Sequence, residues 1–199
     1  MTYEPQLVTG PAAVVITRAE AKAHLAVDAD DWNSEIDAFV AAATARLDGW
    51  AGTLGRCLIN QVWKIRLDRW PADGVIRFPF PNVSAATIKY YAAGGDGSSL
   101  TTASGTHWEI EHDARGSFLR LKPAWTRPAL FDRPAPVVVE FTAGFGATAA
   151  EVPQPIRSAI LLIVGHLWQH RGDAASEAAR ENPLGSERLL APYRRVWAT

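Results

Sequence analysis

The sequence predicts an α+β protein, a helical bundle or hairpin interrupted by an antiparallel β insertion. Three observations predict it. Apolar residues recur at steps of three and four from Trp32 to Leu54. From Asn60 to about Gly144 the period changes to two. After Pro153 an apolar run returns at helical spacing. Helices before, strands in the middle and helices after give the simplest division: residues 1–56 and 153–199 as a helical lobe, 57–152 as a β-rich insertion.

Residues Met1 to Gly10 carry no periodic pattern and read as an arm. They also lack a basic region followed by a sustained apolar stretch, so no secretory leader is expected. Thr17 with Glu20 three positions on predicts a capping box opening a short helix to about Leu25. A longer helix is predicted from about Asp31 to Leu54, capped by Asp30 or Asp31 and closed by Gly55. Its stripe, Trp32, Ile36, Phe39, Val40, Ala43, Leu47, Trp50 and Leu54, falls within about 60° either side of Ile36 at 100° per residue. Gly49 and Gly52 weaken the last turns.

In the middle of the chain, Trp63, Ile65 and Leu67 alternate with Lys64, Arg66 and Asp68. Ile88 and Tyr90, Trp108 and Ile110, Phe118 to Leu121 and Val137 to Phe141 continue the pattern. Turn clusters such as Gly94-Gly95-Asp96-Gly97 and Arg115-Gly116 separate the runs. Five or six strands with no helix between them imply an antiparallel sheet or small barrel. Pro153 and Pro155 open the main late helix, to about His170. Arg171 to Asn182 reads as a linker, and Leu184 to Tyr193 as a last short helix.

Composition narrows the function. The 199 residues are 48% hydrophobic and 21% charged, ordinary for a globular protein. A net charge of −1 lacks the cationic excess that grips nucleic acid by neutralising phosphates, while leaving room for a surface past which DNA slides. One cysteine, Cys57, excludes an internal disulfide framework and any multi-cysteine metal site. The apolar run Ala159 to Trp168 is too short to span a bilayer. Eight tryptophans suit large contact areas in cores or interfaces.

No constellation predicts an active site. His166 and His170 have metal-ligand spacing, but no glutamate follows the first and no third ligand is nearby. Glu109, Glu111 and Asp113 read as the solvent face of a strand. Gly144-Phe145-Gly146 lacks a phosphate-loop pattern and reads as a turn. Ser84, Ser117 and Ser158 have no nucleophile-elbow context, and Cys57 reads as a small buried hydrophobe. No metal or cofactor is expected. An alternative of another class is a small hydrolase or ligand-binding protein using the β lobe, with His107, His112 and the nearby carboxylates as its polar groups.

Other features point to partners. On the late helix, Ile156, Ala159, Ile160, Ile163 and Leu167 form one stripe while Leu161, Leu162 and Trp168 project roughly opposite. A helix apolar nearly all round must be covered nearly all round, here by the β lobe or by a neighbouring subunit. Asp28, Asp30, Asp31, Glu35, Asp37 and Asp48 face only Arg46, whereas Arg188, Arg194 and Arg195 crowd the end of the chain. This suits head-to-tail assembly or an acidic partner, and equally a solvated helix face with an ordinary tail. Leu189, Leu190, Tyr193 and Trp197 are large anchors that either dock on a partner or fold back on the same chain.

Four segments in order resemble the head–tail connector, or portal adaptor, proteins of siphophage-type virions in their longer form with a β insertion. They are ITRAEAKAHLAVD (Ile16 to Asp28), LGRCLINQVWKIRLDRWP (Leu54 to Pro71), VVVEFTAGFGATAAEVPQPIRSAILLIVGHLWQHR (Val137 to Arg171) and NPLGSERLLAPYRR (Asn182 to Arg195). Residues from about Ala92 to His107 carry little of the resemblance. Similar proteins occur in prophages and in gene transfer agents, phage-like particles that export bacterial DNA. The resemblance implies a non-enzymatic homo-oligomeric ring, typically dodecameric, below the portal, made in the bacterial cytoplasm and placed at the head–tail junction. Its lumen passes DNA without specific binding, and its lower face receives a stopper or tail-terminator ring. It further implies no cofactor, and portal binding by the C-terminal end. The expected portal contacts are therefore Leu189, Leu190, Tyr193, Arg194, Arg195 and Trp197, and the expected subunit interface is Leu161, Leu162 and Trp168.

Overall fold

The computed structural model describes residues 4–171 and 183–195. The chain divides into two compact units, one of Met1–Ala12 with Asn60–Gly144 and one of Ala13–Ile59 with Phe145–Thr199. The expected α+β class, helices around an antiparallel β insertion, is what the structure has.

The first unit holds eight strands: β1 (Gln6–Thr9), β2 (Gln61–Leu67), β3 (Val75–Arg77), β4 (Val83–Tyr90), β5 (Thr101–Thr102), β6 (Trp108–Asp113), β7 (Gly116–Leu121) and β8 (Val137–Ala143). They form a five-stranded sheet, β1-β2-β8-β4-β5, and a three-stranded sheet, β3-β7-β6, antiparallel throughout. Alternation in β2 buries Gln61, Trp63, Ile65 and Leu67 and turns Lys64 and Arg66 outward. On the buried side Phe141 packs against Phe78 and Phe80, ring centroids 4.8 and 6.2 Å apart, and Trp63 against Phe80 at 4.9 Å. Each such ring contributes about 1.5–3 kcal/mol by leaving water. The buried Gln61 is satisfied by the Trp63 indole, whose Nε1–H donates to it over 3.1 Å. Asp96 shapes the turn before β5, its carboxylate accepting from the N–H groups of Ser98 and Ser99, with Gly97 in the left-handed region at φ 70°.

One expectation needs correction here. The N-terminal arm is strand β1 on the edge of the larger sheet, paired through Gln6↔Lys64 and Leu7↔Trp63. All four of its residues are exposed, which is why no alternating pattern marks it. The described part of the arm, residues 4–12, accordingly groups with the β strands. The strands of the insertion form two antiparallel sheets.

The second unit holds α1 (Arg18–Leu25), α2 (Asn33–Ala45), α3 (Gln154–Gln169) and α4 (Leu184–Leu190). Thr17 and Glu20 form the expected capping box, and Thr148 with Glu151 forms a second one on the short turn ahead of α3. The core is aliphatic: Ile36, Val40, Ala43, Leu47, Leu54 and Leu58 meet Ile156, Ala159, Ile160, Ile163 and Val164. The long helix predicted to Leu54 ends at Ala45 instead. Gly49 takes φ 74°, and its N–H donates to the Arg56 carbonyl over 3.0 Å. The Asp48 carboxylate accepts the Leu58 N–H at 2.7 Å. A Cβ on Gly52 would lie 2.4 Å from backbone atoms of Leu47 and Asp48. Residues 46–55 are thus a wound turn that still delivers Leu47 and Leu54 to the core, while Trp50, counted in the stripe, stands 38% exposed.

Candidate functional site

The polar groups that chemistry would need are engaged structurally. Glu109, Glu111 and Asp113 on β6 pair with Lys122, Arg120 and Arg77 at 2.9, 2.6 and 2.8 Å. Arg77 holds the Asp113 carboxyl below its ordinary range, chiefly by hydrogen bonding. His112 Nδ1 lies 2.9 Å from the Ser117 hydroxyl, whose oxygen accepts from the Val83 N–H. His107 stacks on Trp125, the ring centroids 5.0 Å apart and the rings nearly parallel. A cavity of about 540 Å³ in the β unit is lined by Leu67, Arg69, Trp70, Pro71, Ala72, Asp73, Val75, Ile76 and Arg77, and neither His107 nor His112 lines it. His166 and His170 lie ring to ring at 4.3 Å, with His170 Nδ1 2.9 Å from the His166 carbonyl. Among the described residues no group of three or more His, Cys, Asp or Glu side chains could hold a metal. None of their helices is long and apolar enough to cross a membrane.

Three surfaces remain. The first is the second face of α3. Leu161, Leu162 and Trp168 are each half-buried. Trp168 meets Trp32 edge to face at 5.5 Å, and the Arg171 guanidinium sits 4.3 Å over the Trp168 ring. Leu161 and Trp168 pack beside the aliphatic core, and Leu162 lies near Gly185 of α4. The chain's own residues therefore cover part of this face, and Trp32 stays 39% exposed at its rim.

The second is the C-terminal segment. Helix α4 lies against α3, with Leu190 fully buried in the core and Ser186 buried beside it. Leu189 and Tyr193 pack partly on the same core, and Tyr193 meets Phe145 at 6.5 Å. Arg194 pairs with Glu187, and the Arg195 N–H donates to the Leu54 carbonyl over 3.0 Å. Leu184, by contrast, is 81% exposed, and Arg188 one turn on is exposed as well. Trp197 lies outside the described residues. Close by, Arg56 stands over the Phe145 ring at 5.3 Å. Its Nε is buried without a hydrogen-bond acceptor among the described residues, and desolvation lowers its pKa.

The third surface was not singled out in the sequence. On the outward face of the larger sheet, a recess of about 140 Å³ is lined by Lys64, Arg66, Tyr91, Leu100, Arg133, Pro134, Ala135, Val138 and Glu140. Glu140 is already bound to Lys89 at 2.8 Å. The Arg133 guanidinium lies 3.9 Å over the Tyr91 ring and donates one N–H to the Gly97 carbonyl. Lys64 and Arg66 were readable as outward strand residues, but Arg133 comes from a distant loop that no periodicity marks.

No protein-family model matches the chain, and no curated protein matches it. Solved structures do match. A chain in the neck of an empty GTA particle, computed with C6 symmetry, superposes with a TM-score of 0.77 at 21% identity, covering 99% of this chain and 98% of that one. A chain in the virion of the native gene transfer agent (GTA) particle gives 0.75, with the same identity and coverage. A chain in the neck of the native particle, computed with C12 symmetry, gives 0.70 at 21% identity. The fold of this chain, both units included, is the fold of those particle proteins.

Proposed function

We propose that this chain is a structural, non-catalytic subunit of the head–tail junction of a phage-like particle. In this reading copies form a ring below the portal, a stopper or tail-terminator ring binds beneath, and DNA passes through the lumen. The observation that carries the reading is the end-to-end likeness, over 99% of this chain, to a neck protein of the gene transfer agent. It is supported by the engagement of the β unit's histidines and carboxylates in structural pairs, which leaves the rival hydrolase reading without a constellation. The test is deletion of the gene in a producing strain, followed by electron microscopy. Heads without tails are expected, restored to tailed particles by the gene in trans; tailed particles from the deletion strain overturn the reading.

Within this proposal the C-terminal segment docks on the portal and the open part of the α3 face contacts a neighbour. Leu190 acts as the anchor that holds α4 to its own unit. The surface offered outward is Leu184 and Arg188, with Leu189, Tyr193, Arg194 and Arg195 at its edge. Truncation here would remove Leu190 from the core and confound fold with docking. The cleaner variant is Leu184→Asp with Arg188→Glu, both exposed. It keeps the fold and loses binding to portal rings in pull-down; unchanged binding refutes the docking role.

A further inference from the structure

We propose that the basic recess on the outward face of the larger sheet receives the acidic corner between α1 and α2 of a second copy of this chain. The inference rests on the ring-subunit reading and names the contact between its copies. Lys64, Arg66 and Arg133 converge on the recess. Neither Lys64 nor Arg66 has an ion-pair partner among the described residues, and the one acid in the lining, Glu140, is neutralised by Lys89. Arg133 is held in place by Tyr91 and by the Gly97 carbonyl. A fixed guanidinium beside two unpaired cations suits a carboxylate, which an arginine fork can bind with two N–H groups. Tyr91, Leu100 and Pro134 add apolar walls that fit the carbon stem of an acidic side chain.

The complement is on the same chain. Of the six acids between Asp28 and Asp48, Asp30 is bound to Lys22 and Asp37 to Arg18, while Asp48 accepts the Leu58 N–H. Asp28, Asp31 and Glu35 have no ion-pair partner among the described residues, and all three lie at the corner that opens α2, Asp28 and Asp31 exposed to solvent there. A surface of one sign and a different surface of the other make a heterologous contact, which closes into a ring when repeated by rotation. Extended polyanions fit less well. The chain carries a net charge of −1, and the recess is a walled pocket rather than a cationic stripe that follows a phosphate backbone.

The test uses two double variants of the full chain, Lys64→Glu/Arg66→Glu and Asp31→Lys/Glu35→Lys, in sedimentation velocity at about 20 mM and about 500 mM salt. Circular dichroism verifies the fold, and Lys64→Gln/Arg66→Gln replaces the first variant if charge reversal unfolds it. Wild type is expected to self-associate at low salt and to weaken at least ~10-fold at high salt. Each reversed variant alone stays monomeric, because like charges then face each other. An equimolar mixture of the two associates again, since both contacts in an alternating assembly are complementary. The neutral variant associates more weakly than wild type. The proposal is overturned if a reversed variant or the neutral one associates like wild type, if the mixture stays monomeric, or if wild type stays monomeric up to millimolar concentration. A short DNA duplex that binds wild type but not Lys64→Glu/Arg66→Glu, with no rescue in the mixture, assigns the recess to phosphate instead. Chain found at the neck without rescue in the mixture sinks this inference alone; rescue with tailed particles still made by the deletion strain sinks the ring reading alone.

Discussion

The two units reach a stable core by opposite routes. The β unit is mostly one continuous stretch, Asn60–Gly144, and its core sets a cluster of aromatic rings among branched aliphatics under paired strands. The helical unit is assembled from Ala13–Ile59 and from Phe145 onward, and its core is aliphatic with hardly an aromatic fully inside. Large flat rings suit a wide, pleated surface, where few side chains must cover much area. Branched aliphatics suit helices that cross at close range, where ridges interlock. The comparison teaches that the helical unit depends on contacts between segments far apart in sequence, whereas most of the β unit's closure is local to its own stretch.

The sharpest way to break this contrast is Phe141→Ala, which removes a fully buried ring. The expected loss is about 3–5 kcal/mol, read by hydrogen exchange as lost protection in β2, β4 and β8 while amides of α2 and α3 keep theirs. Equal loss in both units would mean that they do not fold as separate bodies. Next is Leu190→Ala, expected to cost about 2–5 kcal/mol and to deprotect α3 and α4. Leu184→Ala on the same short helix should stay within about 0.5 kcal/mol because the residue faces solvent. A smaller effect belongs to Thr17→Ala, about 1 kcal/mol, seen as a lower melting temperature with unchanged strand signals.

The smallest is a pH effect. Glu20 is held below its ordinary value of 4.5, first by the Thr17 N–H, with the Thr17 hydroxyl and Arg157 adding to it. A carboxylate with a lowered folded pKa stabilises the native state above the unfolded value, and that contribution is lost as pH falls through the folded one. Melting temperature should therefore fall as pH drops below about 4.5. Glu20→Gln should show a shallower fall over that window; an unchanged slope would remove Glu20 from the account.

Much of this was legible in the sequence, because period and caps are local signals. The alternation at Trp63, Ile65 and Leu67 and the box at Thr17 and Glu20 required nothing distant to be true. The end of α2 was missed because the spacing of Leu47, Trp50 and Leu54 mimics a helix. Only the left-handed Gly49 and the close approach at Gly52 reveal a turn. Strand β1 was missed because an exposed edge strand has no buried side to set a pattern. The recess was half legible: Lys64 and Arg66 follow from alternation, while Arg133 arrives by tertiary folding. The burial of Leu190 separates the C-terminal anchors into one that faces inward and others that do not, a distinction that hydrophobicity alone does not make.

The seam where the chain enters and leaves the β unit has a further consequence. β2 begins opposite the end of β8, with Gln61 paired to Ala143, and a Cβ on Gly144 would lie 2.6 Å from the Asn60 nitrogen. On the helical side the Phe145 N–H donates to the Leu58 carbonyl over 3.2 Å. The stretch from Asn60 to Gly144 is thus tied at its two ends and forms, topologically, one very long loop, to which β1 adds from the N-terminal side. The entropy of closing a loop grows only with the logarithm of its length, about 0.6 kcal/mol per doubling. Lengthening, trimming or exchanging that loop at its far end therefore leaves the helical unit's closure almost untouched. An exchange of residues 60–144 has one further condition: the incoming stretch must offer β1 a strand edge, as β2 does here.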